Sequence, residues 1–241
     1  MVISTKAWNE YVNRLATIQM AAYNDLKSFL SKNGGFDIYK TNPNLVIDYV
    51  FGLSTKYGEA ASALACELYD AVAIAEGVSV PAAVPAATAT ISETAKLVTG
   101  TAKISEEVFL QASSRLVKQA SEDTILQNAE RDGSYFAWIP SGDSCSFCIT
   151  LASRGWQKIS KKALKNGHAE HIHANCDCHY AIKFNEDSGV AGYDPDEYYQ
   201  EYVDAGKDIN TMRRISYQEN KDELNAQRRE RYAEKKESSE N

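Results

Sequence analysis

"TKAWNEYVNRLATIQMAAYNDLKSFL", Thr5 to Leu30, decides the fold class of this chain. Trp8, Val12, Leu15, Ile18, Ala22, Leu26 and Phe29 recur at steps of three and four residues. On a helix of 3.6 residues per turn that spacing draws one apolar stripe between polar faces. Thr5 is placed to cap the start, and "NGG" at Asn33 to Gly35 is a stop signal. The expectation is a long helix with its stripe against a core.

The pattern repeats downstream. "TNPNLVIDYVFG" restarts helix with Asn42 as N-cap and Pro43 at the first helical position, where its missing N–H is not needed. "STKYGEAASALACELYDAVAIAEG" reads as a further helix capped by Ser54 or Thr55, with Ala61, Leu64, Ala65, Leu68 and Val72 inward. Cys66 within it reads as a small buried hydrophobe rather than a nucleophile. The Pro/Ala/Thr stretch after Gly77 is an extended connection. Helix resumes around Ile91 to Val98, and again from a Ser105 cap. There Glu106 and Glu107 suit the positive end of the helix dipole. Val108, Ala112, Leu116, Ala120 and Ile125 face inward, and Gly133 ends it.

From Ser134 the texture changes. "SYFAWIP" is aromatic and β-prone, and Pro140 stops it. Four cysteines, the short helix-like "ITLASRGW", a lysine-rich loop and "HYAIKF" follow. After a polar loop, Asp194 caps a helix that has Pro195 at its first position. The last segment is helix-prone but has few apolar residues, chiefly Met212, Ile215 and Leu224. Its cations are Arg213, Arg214, Arg228, Arg229, Arg231, Lys235 and Lys236. It is either a solvated helix or a basic arm that contacts DNA or an acidic partner. The fold class expected is mainly α. It comprises a helical docking domain over 1–133, a small zinc-stabilised α+β module over 134–185, and a helical, partly basic tail over 186–241.

The 241 residues are 44% hydrophobic and 24% charged, ordinary for a globular protein. A net charge of −7 argues against a general nucleic-acid coat, which must neutralise phosphates. The first residues lack the features of a signal peptide. The longest uncharged run, Gly77 to Ser92, is too short and proline-broken to span a bilayer. The expectation is a protein without a membrane partner, made in a reducing cytoplasm where disulfides are disfavoured.

Four of the five cysteines and all four histidines fall within residues 145–179. Cys145 and Cys148 form a Cys-x-x-Cys turn, which lets two thiolates converge on one tetrahedral ion. His173, Cys176 and Cys178 offer three candidates for the two remaining places, 25 residues or more beyond Cys148. The ligand set is Cys₄, or Cys₃His with His173 and one of the later pair. Either set fills every position with protein atoms, so one structural zinc per chain is expected. A module of about 50 residues also needs such a staple to fold. A disulfide pair and a redox Cys-x-x-Cys are the competing readings, and the latter lacks its βαβ setting. His168, His171 and His179 read as solvent-exposed or supporting imidazoles.

"IPSGDSCSFCITLASRG", Ile139 to Gly155, followed by "HANCDC", His173 to Cys178, resembles the minor head proteins of tailed bacteriophages. The likeness is to those infecting actinobacteria, and more distantly to the Mu F-like head morphogenesis proteins. The family pattern is Cys-x-Phe-Cys, Leu-Ala-Ser-Arg-Gly, then His-x-x-Cys-x-Cys, and every element is present. "YGEAASALACELYDAVAIAEGV", Tyr57 to Val78, and "NAQRRERYA" extend the likeness to most of the chain from about residue 40. The surplus histidines around His173 depart from the pattern.

The resemblance implies a low-copy capsid protein, oligomeric within the virion. It would lie in the capsid interior or at the portal vertex, after assembly in the host cytoplasm. Its partners would be the portal, scaffold or major capsid protein, with DNA contact through the C-terminal basic helix. Ejection with the genome is left open. No catalytic residues are assigned, since no Ser/His/Asp or Ser/Lys motif is present. The rival reading is a zinc-supported, HNH-like nuclease using His171 or His179 on DNA.

Overall fold

Ser4 stands in extended backbone, and its Oγ accepts the Ala7 N–H at 3.2 Å, which starts α1 (Thr5–Lys32). The cap is therefore one residue earlier than Thr5. Trp8, Leu15, Ala22 and Leu26 are buried along the expected stripe, and Tyr11 and Leu30 join them. Val12, Ile18 and Phe29 are half-buried at its margins. This computed structural model describes residues 2–141, 144–158, 178–222, 225, 226 and 229.

A single-turn helix, α2 (Ile38–Thr41), precedes α3 (Pro43–Ala75), where Asn42 Oδ1 accepts the Leu45 N–H. The sequence suggested a fresh helix start at Ser54 or Thr55, and the structure corrects this. Both hydroxyls donate to the Phe51 carbonyl, at 2.9 and 3.0 Å, and α3 runs on without a break. A hydroxyl can cap a new helix or bond back into an existing one, and here it does the second. Cys66 is half-buried rather than buried, and desolvation pushes its thiol pKa up.

Thr90 and Glu93 form a reciprocal capping box at the start of α4 (Ile91–Thr101). Ser105 caps α5 (Glu106–Asp132), which Gly133 ends in left-handed backbone at φ 66°. α1, α3 and α5 pack on one another. Small residues on α3, Ala61, Ser62 and Ala65, admit α5 closely, and Ser62 Oγ donates to the Ala120 carbonyl at 3.1 Å. α5 is buried on nearly every side, so Ser121, Glu122, Thr124 and Asn128 are core residues too.

Between α3 and α4 the chain runs extended as a strap over these helices. Asn128 reads it like a strand partner. Its Oδ1 accepts the Val84 N–H at 2.9 Å, and its Nδ2 donates to the Val84 carbonyl at 2.8 Å. Asp70 Oδ1 accepts the Ala83 N–H, Thr124 Oγ1 accepts the Ala86 N–H, and Arg131 donates to the Pro81 and Ala82 carbonyls.

A three-stranded antiparallel sheet is ordered β3 (Gln157–Lys158), β2 (Tyr135–Ile139), β4 (His179–Lys183), with Trp138 opposite Tyr180. Every residue of β4 is buried. A second, parallel pair joins β1 (Val2–Ile3) to β5 (Gly189–Val190), with Val2 beside Gly189. Neither β1 nor α2 was anticipated, since two or four residues carry no readable period.

The chain divides into two compact units. The first comprises residues 1–142 and 156–193 and holds the helices and strands above. The second comprises residues 143–155 and 194–241. It contains α6 (Ser146–Ala152), α7 (Pro195–Asp204) and α8 (Ile209–Glu219), with Asp194 and Asp208 capping the last two. Residues 134–185, contiguous in sequence, are thus shared between the units. Among the described residues, no helix is long and apolar enough to cross a membrane.

Candidate functional site

Cys145 occupies the N-cap position of α6 in extended backbone, at φ −73° and ψ 158°. The helical turn that follows swings Cys148 back toward it, and the two sulfurs lie 3.5 Å apart. That is far beyond the roughly 2.05 Å of a disulfide bond. It is close to the roughly 3.8 Å that two thiolates subtend on a tetrahedral ion with Zn–S of about 2.3 Å. The pair therefore fits one zinc. Cys148 is 1% exposed.

Cys178 lies just before β4 in the first unit and is also buried. His173 and Cys176, the other expected ligands, lie outside the described residues, as do His168 and His171. Among the described residues, no three His, Cys, Asp or Glu side chains gather into a group able to hold a metal. The structure thus brings together Cys145 and Cys148, and it describes only one of the candidates for the remaining positions.

His179 is not a solvent-exposed imidazole. It is 4% exposed, and its Nδ1 lies 2.9 Å from Glu122 Oε1. The other carboxylate oxygen accepts the Tyr180 N–H at 2.8 Å. Trp8 and Tyr11 set their rings edge-on around the imidazole, at centroid distances of 6.5 and 6.3 Å. Tyr11 in turn shares a hydrogen bond of 2.8 Å with Ser121 Oγ. Burial, reinforced by the negative charge of Glu122, pushes the Tyr11 hydroxyl well above the usual phenol range, and the Ser121 contact opposes this.

The sheet explains the arrangement. Side chains alternate along β4, so His179, Ala181 and Lys183 face one side while Tyr180 and Ile182 face the other. On that other side Tyr180 packs edge-on against Phe136 and Trp138, at 5.5 and 4.6 Å. The His179 side meets α5 and α1. Glu122 thus ties α5 to β4 through one ring nitrogen and one backbone amide. A nuclease using His179 requires an imidazole that can reach a phosphate, and a ring enclosed in this way does not; His171, the other candidate, lies outside the described residues.

The basic residues divide in the same manner. Arg213 and Arg214 are exposed on α8, and Arg214 donates to Thr211 Oγ1 at 2.7 Å. Arg229 is exposed, whereas Arg228, Arg231, Lys235 and Lys236 lie outside the described residues.

Sequence reasoning missed Glu122. A carboxylate in "SEDTILQNAERD" carries no sign of burial when its partner is 57 residues away. The one available signal was the scatter of apolar residues around α5: Phe109, Leu110, Leu116, Val117, Ile125 and Leu126 share no single helical face.

A family model described as VG15 protein matches residues 2–205. No curated protein and no solved structure matches the chain.

Proposed function

The chain belongs to the VG15 protein family, and from that premise we propose that it is a minor head protein of a tailed bacteriophage. Its role is structural, in head morphogenesis near the portal. The family match over residues 2–205 carries the reading, since the family name points to a viral gene product. The match brings no catalytic activity with it. Further support comes from the sequence motif that spans Ile139 to Cys178.

In this reading the metal holds the chain together. One zinc is bound by Cys145 and Cys148 with two of His173, Cys176 and Cys178. The 3.5 Å sulfur separation is the geometric support. A closed ligand set leaves no place for a water, so the ion contributes folding energy rather than chemistry. The portal, scaffold or major capsid protein is the partner, and the virion is the final location.

The test is a phage carrying this gene with and without an early stop codon. Virions of the parent should contain the protein at low copy relative to the major capsid protein, by quantitative mass spectrometry. The stop codon should abolish DNA-filled heads in electron micrographs. Normal filled heads without the protein, or its absence from purified virions, would overturn the assignment. Cleavage of plasmid DNA by the purified chain with magnesium, abolished by His171→Ala, would establish the nuclease instead.

A further inference from the structure

The 3.5 Å between the Cys145 and Cys148 sulfurs has a second chemical meaning besides metal binding. A disulfide holds its sulfurs about 2.05 Å apart, so closing one here requires an approach of about 1.5 Å. Small rotations about the two Cα–Cβ bonds supply a shift of that size. Cys145 stands outside α6 in extended backbone, and its side chain does not cap the helix. The first helical bond, from the Ile149 N–H to the Cys145 carbonyl at 3.1 Å, uses the main chain alone. A bond between the sulfurs therefore costs α6 no main-chain hydrogen bond.

The two thiols differ in access. Cys145 is half-buried, whereas Cys148 is 1% exposed. An oxidant arriving from solvent meets Cys145 first, and Cys148 stands within reach as the resolving thiol. Cys66 contrasts with both. It lies on α3 in the first unit, and burial pushes its thiol up, away from the reactive thiolate.

We propose that Cys145 and Cys148 form a reversible dithiol–disulfide pair, oxidised by a small disulfide such as glutathione disulfide, and that oxidation excludes the metal. The Cys145 thiolate attacks one sulfur of glutathione disulfide, forming a mixed disulfide and releasing one glutathione thiolate. The Cys148 thiolate then attacks the Cys145 sulfur, breaks the mixed bond and releases the second glutathione thiolate. Two electrons pass from the pair to glutathione disulfide, and the two protein thiol protons end on the two glutathione thiols. Zinc is redox-inert, so it takes no electrons and departs as Zn²⁺ once its thiolates are consumed. The disulfide closes a loop of four residues, Cys145 to Cys148. A loop that short constrains the unfolded chain little, so the disulfide does not replace the metal as a staple.

Cytoplasmic glutathione and thioredoxin keep such pairs reduced, and that protection ends when the host cell lyses. The pair thus keeps its metal during assembly and loses it after the particle leaves the host. That timing rests on the proposed virion location, and the departure of the metal rests on the structural-zinc reading. The oxidation itself needs neither, because it involves the two sulfurs alone.

The full chain, one sample loaded with zinc and another stripped by a chelator, is incubated with glutathione disulfide. Each is then alkylated and mapped by mass spectrometry without reduction. A Cys145–Cys148 disulfide should form in both samples, reverse with dithiothreitol, and leave Cys66 alkylated. In the loaded sample a colorimetric chelator should report zinc released in step with the disulfide. Cys148→Ser should stop at a mixed disulfide with glutathione on Cys145, and Cys145→Ser should leave Cys148 unmodified. The parent mapping decides the matter even where a serine variant does not fold. Cys145 and Cys148 that stay alkylatable, or that pair with Cys176 or Cys178 instead, refute the proposal. Zinc retained beside the formed disulfide refutes the exclusion of the metal. A chain that binds no zinc but forms the disulfide removes the structural-zinc reading and leaves the redox pair standing.

Discussion

Glu122 Oε1 lies 2.9 Å from His179 Nδ1, with both side chains buried in the helical body. The contact joins the middle of α5 to the first residue of β4. A buried carboxylate is costly unless its oxygens are occupied. Here each has a nitrogen partner, since Oε2 accepts the Tyr180 N–H.

Glu122→Ala should accordingly be among the most destabilising single changes in the chain. It removes the carboxylate that two buried nitrogens face, at about 1–3 kcal/mol each. Glu122→Gln keeps one acceptor oxygen and should lose less. Urea denaturation of the three proteins measures the difference. An alanine variant within 0.5 kcal/mol of the parent, roughly the size of an ordinary surface change, would mean the pair contributes little.

Zinc content follows the Cys145–Cys148 pair. Elemental analysis of the purified chain should give about one zinc per chain, and Cys145→Ser should lose it. The serine variant should also lower the melting temperature of the second unit. Chelated protein that melts identically to untreated protein would remove the structural-zinc reading.

Gly52 and Gly58 lie on the same helix and should respond oppositely to alanine. A Cβ at Gly58 would stand 2.9 Å from Thr88 Cγ2 on the strap, whereas one at Gly52 meets nothing within 4 Å. Gly52→Ala should stabilise by about 0.5–1 kcal/mol through helix propensity. Gly58→Ala should destabilise by about 1–2 kcal/mol, because the strap must shift against the Asn128 bonds. Thermal melts of both variants are the measurement, and equal gains would show that the strap yields freely.

Alkaline stability should be limited by tyrosine. The Tyr11 and Tyr69 hydroxyls are both raised above their ordinary value, mainly by burial. A raised pKa means that the folded state holds the proton more tightly than the unfolded state. Their contribution is therefore complete below the ordinary value of about 10 and declines as pH climbs past it. Tyr11→Phe should flatten that decline between pH 10 and about 11.5, read by urea titration at each pH. An unchanged slope would assign the alkaline loss to other groups.

Local signals were legible where one short stretch contains both the cause and its consequence. Asn42, Ser105 and Asp194 cap helices as their sequence settings indicate, because the capped N–H groups lie two or three residues away. Ser54 and Thr55 misled because the same hydroxyl serves two local uses. Glu122 and Asn128 were invisible for a different reason: their partners are 57 and 44 residues distant. The cysteine spacing of the first pair was readable and its proximity is observed. The later ligand candidates, apart from Cys178, fall outside the described residues.

The pairing of β1 with β5 bears on synthesis as well as on architecture. Val2 emerges from the ribosome 187 residues ahead of its neighbour Gly189. Contacts this far apart in sequence form late and slowly. The α1, α3 and α5 core can assemble while translation continues, but the amino-terminal strand must wait for its partner. The completed body thus records that residue 190 has been made.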